Sequence, residues 1–243
     1  MPTIYLSPSL QEYNPYVDGG NEEYYMNLIT DEMIPFLRSS GIQYVRNEPS
    51  QRLSQAIAQS NQGNYDLHLA IHSNAAPQSL AGKIQGTDVY YYATSTQGKR
   101  AADIIAQNFK EIYPNPSLVK AVPTTTLAEL KQTKAPAVLI EVAYHDNVQD
   151  AQWIRDNIEN IARNLVMSLT EYFGIPFVEP ITPQDGTAIS NLNIYSKPNL
   201  QSNVVATVAQ GDHLEVVGKW ENWYVVNHGP HVGYAQSNLI RIS

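Results

Sequence analysis

Ala135-Pro136-Ala137-Val138-Leu139-Ile140-Glu141-Val142-Ala143-Tyr144-His145-Asp146-Asn147 is the stretch on which the fold of this chain turns. Its run Ala137–Ile140 is apolar and partly β-branched, the pattern of a strand buried on both faces. A carboxylate, Glu141, stands directly at the carboxyl end of that run. Open α/β sheets bind ligands at the carboxyl ends of their strands, so the place of Glu141 says more than its type. A strand-end salt bridge would also put an acid there. What else converges on that strand end decides between the two.

Working outward, strand-like and helix-like segments alternate. Thr3–Ser7 reads as a strand, followed by a polar loop with Pro8, Pro15, Gly19 and Gly20. Asn21 is placed to cap a helix whose first turn carries Glu22 and Glu23, where carboxylates suit the helix dipole. Met26, Ile29, Met33 and Phe36 keep helical spacing, Pro35 is expected to kink the end, and Gly41 to stop it. A strand over Ile42–Arg46 and a short helix over Leu53–Ser60 precede a strand over Tyr65–Ile71, which ends in the polar turn His72-Ser73-Asn74. Asp88–Tyr92 is a further strand and Thr96–Tyr113 an amphipathic helix, while Val122–Lys134 reads as a Thr-rich loop or short helix. One long helix is expected from Asn147 until Gly174 ends it, striped by Ile154, Ile158, Ile161, Leu165 and Leu169. Such alternation predicts an α/β layer fold with a mostly parallel sheet.

Past Phe173 the texture changes. Residues 174–186 hold three prolines and two glycines and read as a stiff linker. From Thr187 onward come short β segments separated by turn signals: Ala188–Ile194, Val204–Val208, His213–Lys219, Trp223–Val226, Gly233–Ala235 and Leu239–Ile242. That spacing suits a small barrel. The expected organisation is a first domain over 1–175, a linker over 176–186 and a small all-β domain over 187–243.

Composition narrows the functions. With 243 residues, 43% of them hydrophobic and 16% charged, the chain can bury a sizeable core. A formal net charge of −8 argues against a general nucleic-acid binder. The lack of cysteine excludes disulfides, thiolate metal sites and cysteine nucleophiles together. No window approaches the ~20 apolar residues of a membrane span. Met1–Leu6 enters a strand with neither a charged leader region nor a cleavage site, so no classical signal peptide is expected within this sequence.

Parity places His68, Ala70 and His72 on one face of their strand, provided it stays regular to its end. His72 stands at the carboxyl end, as Glu141 does on its own strand. If the two strands are neighbours, imidazole and carboxylate meet in one crevice, and the helix opening with Glu22-Glu23 can add a carboxylate. A neutral imidazole with carboxylate oxygens suits the ligands of a zinc ion, and a further carboxylate can act as base on the bound water. The competing readings are a strand-capping His72 and a core His68. For His68, between Leu67 and Leu69, the core is favoured; for His72 the polar Ser73-Asn74 that follows favours function.

These residues resemble the zinc-dependent N-acetylmuramoyl-L-alanine amidases, a group also found in cell-wall hydrolases and phage endolysins. The resemblance covers about residues 2–175. It rests on Gly20-Asn21-Glu22-Glu23 with Asn27-Leu28, on Asp66 through Ile71-His72-Ser73-Asn74, and on Pro136 through Leu139-Ile140-Glu141-Val142 with Asp146-Asn147. It implies a mixed, mostly parallel sheet flanked by helices, Zn2+ as cofactor and peptidoglycan as substrate. It also implies that Glu23 and His72 are zinc ligands and Glu141 the catalytic carboxylate. Glu23 is preferred to Glu22 because the family's Glu stands four residues before an Asn, here Asn27. In the family a His ligand follows the first strand in a Gly-His turn; here that turn reads Leu6-Ser7-Pro8-Ser9-Leu10-Gln11, with no histidine before His68. The third ligand is then Gln11 through its amide oxygen, or His68, or the metal site is degraded. Under this resemblance Glu141 takes the water's proton and passes it to the leaving amine as the bond between the lactyl carbonyl of N-acetylmuramic acid and L-alanine breaks. His145 is a candidate to orient Glu141 or touch substrate, against a plain loop histidine. Asn74 is a candidate to bond the peptide stem, against a turn residue serving its own backbone.

Residues 187–243 resemble a bacterial SH3-like domain through Leu192-Asn193-Ile194-Tyr195-Ser196-Lys197-Pro198, Gly211, Trp223-Tyr224-Val225-Val226 and Gly233-Tyr234-Ala235. This implies a wall-binding module with Trp220, Trp223 and Tyr234 as groove candidates, core packing being the competing reading for the last two. The whole then reads as a peptidoglycan hydrolase, autolysin or endolysin, acting at the extracellular cell wall. Two other functions stay open. One is a non-catalytic wall-binding protein with a degraded metal site. The other is a peptidase of the zinc carboxypeptidase type, which needs an arginine for a terminal carboxylate; Arg46, Arg52 and Arg100 are candidates by position.

Overall fold

The computed structural model describes residues 1–243, which divide into two compact units: Ile4–Met33 with Val45–Tyr172, and Met1–Thr3 with Ile34–Tyr44 and Phe173–Ser243. In chain order the α/β elements are β1 (Thr3–Pro8), α1 (Glu22–Ser39), β2 (Gln43–Arg46), α2 (Leu53–Gln62), β3 (Leu67–Asn74), β4 (Thr87–Tyr92), α3 (Thr96–Phe109), β5 (Val119–Thr124), α4 (Ala128–Gln132), β6 (Ala137–Tyr144), α5 (Val148–Asp156) and α6 (Ile158–Phe173). The strands form one sheet in the order β2-β1-β3-β6-β4-β5. β1 and β3, β3 and β6, and β4 and β5 pair in parallel, while β4 runs antiparallel to β6. The expected mixed, mostly parallel sheet flanked by helices is present.

β3 and β6 lie at its centre, and Leu67, Leu69, Ile71, Val138 and Ile140 have no accessible surface. Strands covered on both faces need continuous apolar runs because neither face is left to water. Ala70, Ala137 and Leu139 pack with Leu130 of α4. α1 begins where Asn21 Oδ1 accepts the Tyr24 amide at 2.8 Å, satisfying a first-turn N–H. Past its end Gly41 has φ +72°, a left-handed conformation that glycine adopts without steric cost.

Four segments of this part differ from the sequence expectation. His72-Ser73-Asn74, expected as a turn, is the end of β3, held there by pairing of Asn74 with Tyr144 of β6. The helix expected from Asn147 to Phe173 is two, α5 and α6, parted at Asn157, whose Nδ2 donates to the Trp153 carbonyl at 2.8 Å. Asparagine bonds to nearby backbone and so competes with helix propagation. Val119–Thr124 is a strand at the sheet edge, where Pro123 is tolerated because an edge strand can leave one N–H side unpaired. The helix expected to reach Tyr113 stops at Phe109.

The other unit contains β7 (Gln184–Ala188), β8 (Leu192–Tyr195), β9 (Val204–Val208), β10 (His213–Trp220), β11 (Trp223–His228), β12 (His231–Gln236) and β13 (Ile240–Ile242). They form a separate antiparallel sheet in the order β13-β7-β10-β11-β12-β8-β9 around Leu192, Ile194, Val208, Val216 and Val226. This is the expected small all-β fold. Gln184–Gly186, read as linker, are already paired with β10, and the strand expected over Ala188–Ile194 is split between β7 and β8. No helix is long and apolar enough to cross a membrane.

Candidate active site

The parallel register sets His72 of β3 directly beside Glu141 of β6, in the carboxyl-terminal halves of the two central strands, which run on to Asn74 and Tyr144. Ligands of α/β sheets bind in the crevice at this edge. The loop after β1, the first turn of α1 and the short helix α4 all reach it. The Ser9 amide donates to the Ile71 carbonyl at 3.0 Å and the Glu22 amide to the Asn14 carbonyl at 3.0 Å, so backbone bonds fix where the loop and helix start meet.

Glu22 is buried, and its Oε1 lies 2.9 Å from His72 Nδ1. Gln11 Nε2 stands 3.3 Å from both atoms. Asn14 Nδ2 donates to Glu22 Oε2 at 2.7 Å and to Gln11 Oε1 at 3.2 Å. The far nitrogen of the imidazole, His72 Nε2, lies 3.3 Å from Glu129 Oε2. The other Glu129 oxygen accepts from Ser7 Oγ and lies 3.1 Å from His68 Nε2. His68 itself is fully buried, with Nδ1 2.9 Å from Ser60 Oγ and its ring stacked on Tyr5.

Charge follows from these contacts. Burial alone would push the His72 pKa down, but bonds to Glu129 and Glu22 outweigh it and hold it well above its ordinary value. Burial would raise Glu22 and Glu129, yet their histidine partners hold both below the usual carboxylate range. Glu141 goes the other way. Burial, with Glu22, Asp88 and Glu129 adding like charge, outweighs the pull of His72 and lifts it to about 7. Its Oε2 is closed off from water and has no hydrogen-bond partner. A half-buried carboxylate poised near neutrality with one free oxygen suits a general base. A cleft of about 480 Å³ lies over this network, lined by Gln11, Arg52, His72, Glu129 and Glu141 and by apolar Leu10, Leu53, Leu127 and Leu139.

Of the expected residues, Gln11, His72 and Glu141 come together. Glu23 does not: Glu22 faces His72, while Glu23 Oε1 accepts from Asn27 Nδ2 at 3.1 Å. The Asn27 that favoured Glu23 in the sequence thus binds it on the helix, one turn along. His68 shares the face of His72 but lies deeper and touches the network only through Glu129. Asn74 Oδ1 accepts the Ala75 amide, serving its own turn. His145 is buried, with Nδ1 2.9 Å from the Ser73 carbonyl and its ring against Tyr16, so it props the end of β3 and does not line the cleft. In the all-β unit Trp220 is exposed and Trp223 meets Tyr195 edge-on at 5.7 Å. Tyr234 is fully buried with its hydroxyl donating to the Ser40 carbonyl of the same unit, which makes it a core residue and not a groove residue. Glu129 was missed. Its one local signal was an acid set among Leu127, Ala128 and Leu130.

A family model described as N-acetylmuramoyl-L-alanine amidase matches residues 12–171, and one described as bacterial SH3 domain matches residues 190–241. This chain belongs to the N-acetylmuramoyl-L-alanine amidase family. The family's activity is peptidoglycan amidase activity. The fold is similar to that of N-acetylmuramoyl-L-alanine amidase AmiC2 of Nostoc punctiforme, with TM-score 0.62 and 17% identity over 71% of this chain and 97% of that one. It is similar to the catalytic domain of CwlV from Bacillus (Paenibacillus) polymyxa var. colistinus, with TM-score 0.62 and 17% identity over 72% and 100%. A third likeness is to the catalytic domain of the CD27L endolysin targeting Clostridia difficile, with TM-score 0.58 and 23% identity over 70% and 98%. At these identities the likeness is one of fold. No curated protein sequence matches the chain.

Amidases of this family are generally zinc-dependent, and the donors present test that metal. No three His, Cys, Asp or Glu side chains gather to hold one. The groups that do meet are Glu22 Oε1, His72 Nδ1 and the Gln11 carboxamide, 2.9, 3.3 and 3.3 Å apart. Donors about 2.0–2.1 Å from a tetrahedral zinc stand about 3.3 Å from one another, so the triangle has the size of one coordination face. Glu129 at the far nitrogen of His72 is the kind of partner that metal-binding histidines have. Gln11 presents its nitrogen, because Oε1 accepts from Asn14 and Tyr13. Half a turn of the carboxamide, giving up the bonds from Asn14 and Tyr13, would bring the oxygen in. In that orientation the donor types and their spacing would suit zinc.

Proposed function

We propose that this chain is a zinc-dependent peptidoglycan hydrolase that cleaves the amide between the lactyl group of N-acetylmuramic acid and L-alanine of the stem peptide. The observation that carries this reading is Glu141, with its free buried oxygen, in register with His72 at the sheet edge. Glu22, His72 and the turned Gln11 would hold zinc, which when bound polarises the scissile carbonyl and lowers the pKa of its water. Glu141 accepts the proton of the attacking water and returns it to the departing amine of L-alanine. Glu129 receives the N–H of His72 Nε2 and fixes the ring, so that Nδ1, which faces Glu22 at 2.9 Å, would act as a ligand once it gives up its proton. Leu10, Leu127 and Leu139 line the same cleft and limit water there, which strengthens each charge interaction. The all-β unit tethers the enzyme at the extracellular cell wall, with Trp220 and Trp223 as contact residues.

Muropeptide digestion read by mass spectrometry tests the reaction. Intact stem peptides with free L-alanine amines are expected, lost on chelation and restored by zinc. Release of single amino acids would instead make the chain a peptidase. One observation favours a second reading, a non-catalytic wall-binding protein: Gln11 points N–H groups at the metal position. About one tightly held zinc per chain supports the hydrolase, and none after refolding with zinc supports the binder.

A further inference from the structure

We infer that Arg52 is the anchor for a carboxylate of the substrate in the Glu141 cleft, an assignment that rests on reading this cleft as the substrate site. Apart from His72, Arg52 is the one basic side chain in the lining, which it shares with Glu129 and Glu141. The other two arginines that position made candidates are engaged elsewhere. Arg46 bonds Asp31 and Asn27. Arg100 donates to the Tyr172 carbonyl at 2.9 Å and lies over that ring at 4.7 Å. Arg52 is exposed and takes part in no ion pair of the chain.

Its backbone, by contrast, is held. The Arg52 amide donates to Gln55 Oε1 at 2.8 Å, and its carbonyl accepts from the Gln55 and Ala56 amides at 2.9 and 3.1 Å. The side chain therefore springs from a fixed point, the residue before α2. Arginine is a poor choice there on local grounds. Small hydrogen-bond acceptors are favoured at that position, and a cation opposes the positive end of the helix dipole. A residue that breaks a local rule without a compensating partner is expected where function demands it.

The other charges make the role specific. Glu129 repels an anionic ligand, Glu141 offers it no N–H donor unless protonated, and His72 is enclosed between Glu22 and Glu129. Arg52 is left as the free donor, and its planar fork matches a carboxylate through two parallel N–H bonds. A stem peptide can offer such a group in two places, along its length at an acidic residue or at its end. The chemistry is the same.

Four N-acetylmuramoyl dipeptides separate these, each with L-alanine followed by an acidic residue whose internal and terminal carboxylates are independently free or amidated. Calorimetric binding to the full chain carrying Glu141→Gln removes turnover, and Arg52→Gln and Arg52→Lys are compared on that background. Arg52→Gln is expected to weaken binding of the ligand with the required free carboxylate about 10- to 100-fold, Arg52→Lys by less, and neither to alter binding of its amidated twin. Dependence on the internal carboxylate upholds the anchor within the amidase reading. Dependence on the terminal one upholds the anchor and turns the cleft into that of a peptidase. Equal losses on free and amidated ligands, no loss, or no binding of any of the four while Arg52 is present overturns it. If the unaltered chain releases no stem peptide but carboxylate-dependent binding persists, the hydrolase falls and the anchor stands.

Discussion

Glu22, His68, Asp88, Glu129, His145 and Asp150 are all buried in the α/β unit, whereas the other unit buries no charged or imidazole side chain and, among polar residues, only Ser39, Ser40 and Ser196. Ile194, Val216, Val225, Val226 and Tyr234 fill its interior instead. Burying an ion costs several kcal/mol unless partners offset it, so a fold has no thermodynamic reason to collect them. The α/β unit collects them at one strand end and satisfies nearly all. Glu141 Oε2 is the exception in this network. The contrast teaches that the first unit gathers buried ionisable groups that cost stability, while the second is held by an apolar interior.

The sharpest way to break this contrast is Glu141→Gln. Stem-peptide release is expected to fall by about 10²- to 10⁴-fold, with an unchanged circular dichroism spectrum and no loss of melting temperature. A large drop in stability would mean that Glu141 holds the fold and not the reaction. Ile194→Ala should do the reverse, destabilising the all-β unit by about 2–5 kcal/mol while muropeptide turnover stays intact. Tryptophan fluorescence in denaturant reads this, because Trp220 and Trp223 lie in that unit and only Trp153 in the other. Glu129→Gln should weaken zinc binding about 10- to 100-fold in chelator competition, since His72 loses the acceptor that fixes its ring. Unaltered zinc affinity would reduce Glu129 to a packing residue. The smallest effect is shared by both units. Burial raises the pKa of Tyr16, Tyr113 and Tyr234, and lifts Tyr144 to about 12. The folded state therefore favours the protonated phenol. That stabilisation is complete below the ordinary value of 10 and declines as pH rises through 10 towards 12 and beyond. Phenolate absorbance is expected to appear together with unfolding, and buried tyrosines ionising freely in the folded chain would contradict this.

Most of the fold was legible because its signals are local. The apolar runs of β3 and β6 announce strands without an exposed face, and Asn147 Oδ1 accepts the Gln149 and Asp150 amides at 3.0 and 3.2 Å, as a helix cap should. His72 and Glu141 were legible for the same reason, since each is the first polar residue after an apolar run, although both strands continue past them to Asn74 and Tyr144. Glu22 against Glu23 was not. Neighbours on a helix point about 100° apart, and which one faces inward depends on how α1 docks, which the loop after β1 fixes through tertiary bonds. Glu129 was hidden more deeply. Its role exists only because α4 lies over the face of β3 that carries His68 and His72, a meeting of segments about sixty residues apart in sequence. β5 escaped because an edge strand containing Pro123 has little pattern of its own.

β4 and β5 run against β1, β3 and β6, so they start at the edge where the central strands finish, and Asp88 near the beginning of β4 pairs with Glu141. The connection entering β4, residues 75–86, consequently starts and ends on the side of the sheet where His72 and Glu141 lie. Asp146 staples it there, accepting the Ala76 and Gly82 amides at 3.1 and 2.9 Å. A span pinned at two points can grow between them without shifting either strand. Lengthening the stretch from Pro77 to Leu80 would thus change the surface beside this strand edge while Glu141 and His72 keep their spacing, which makes it the natural place for an insertion in this scaffold.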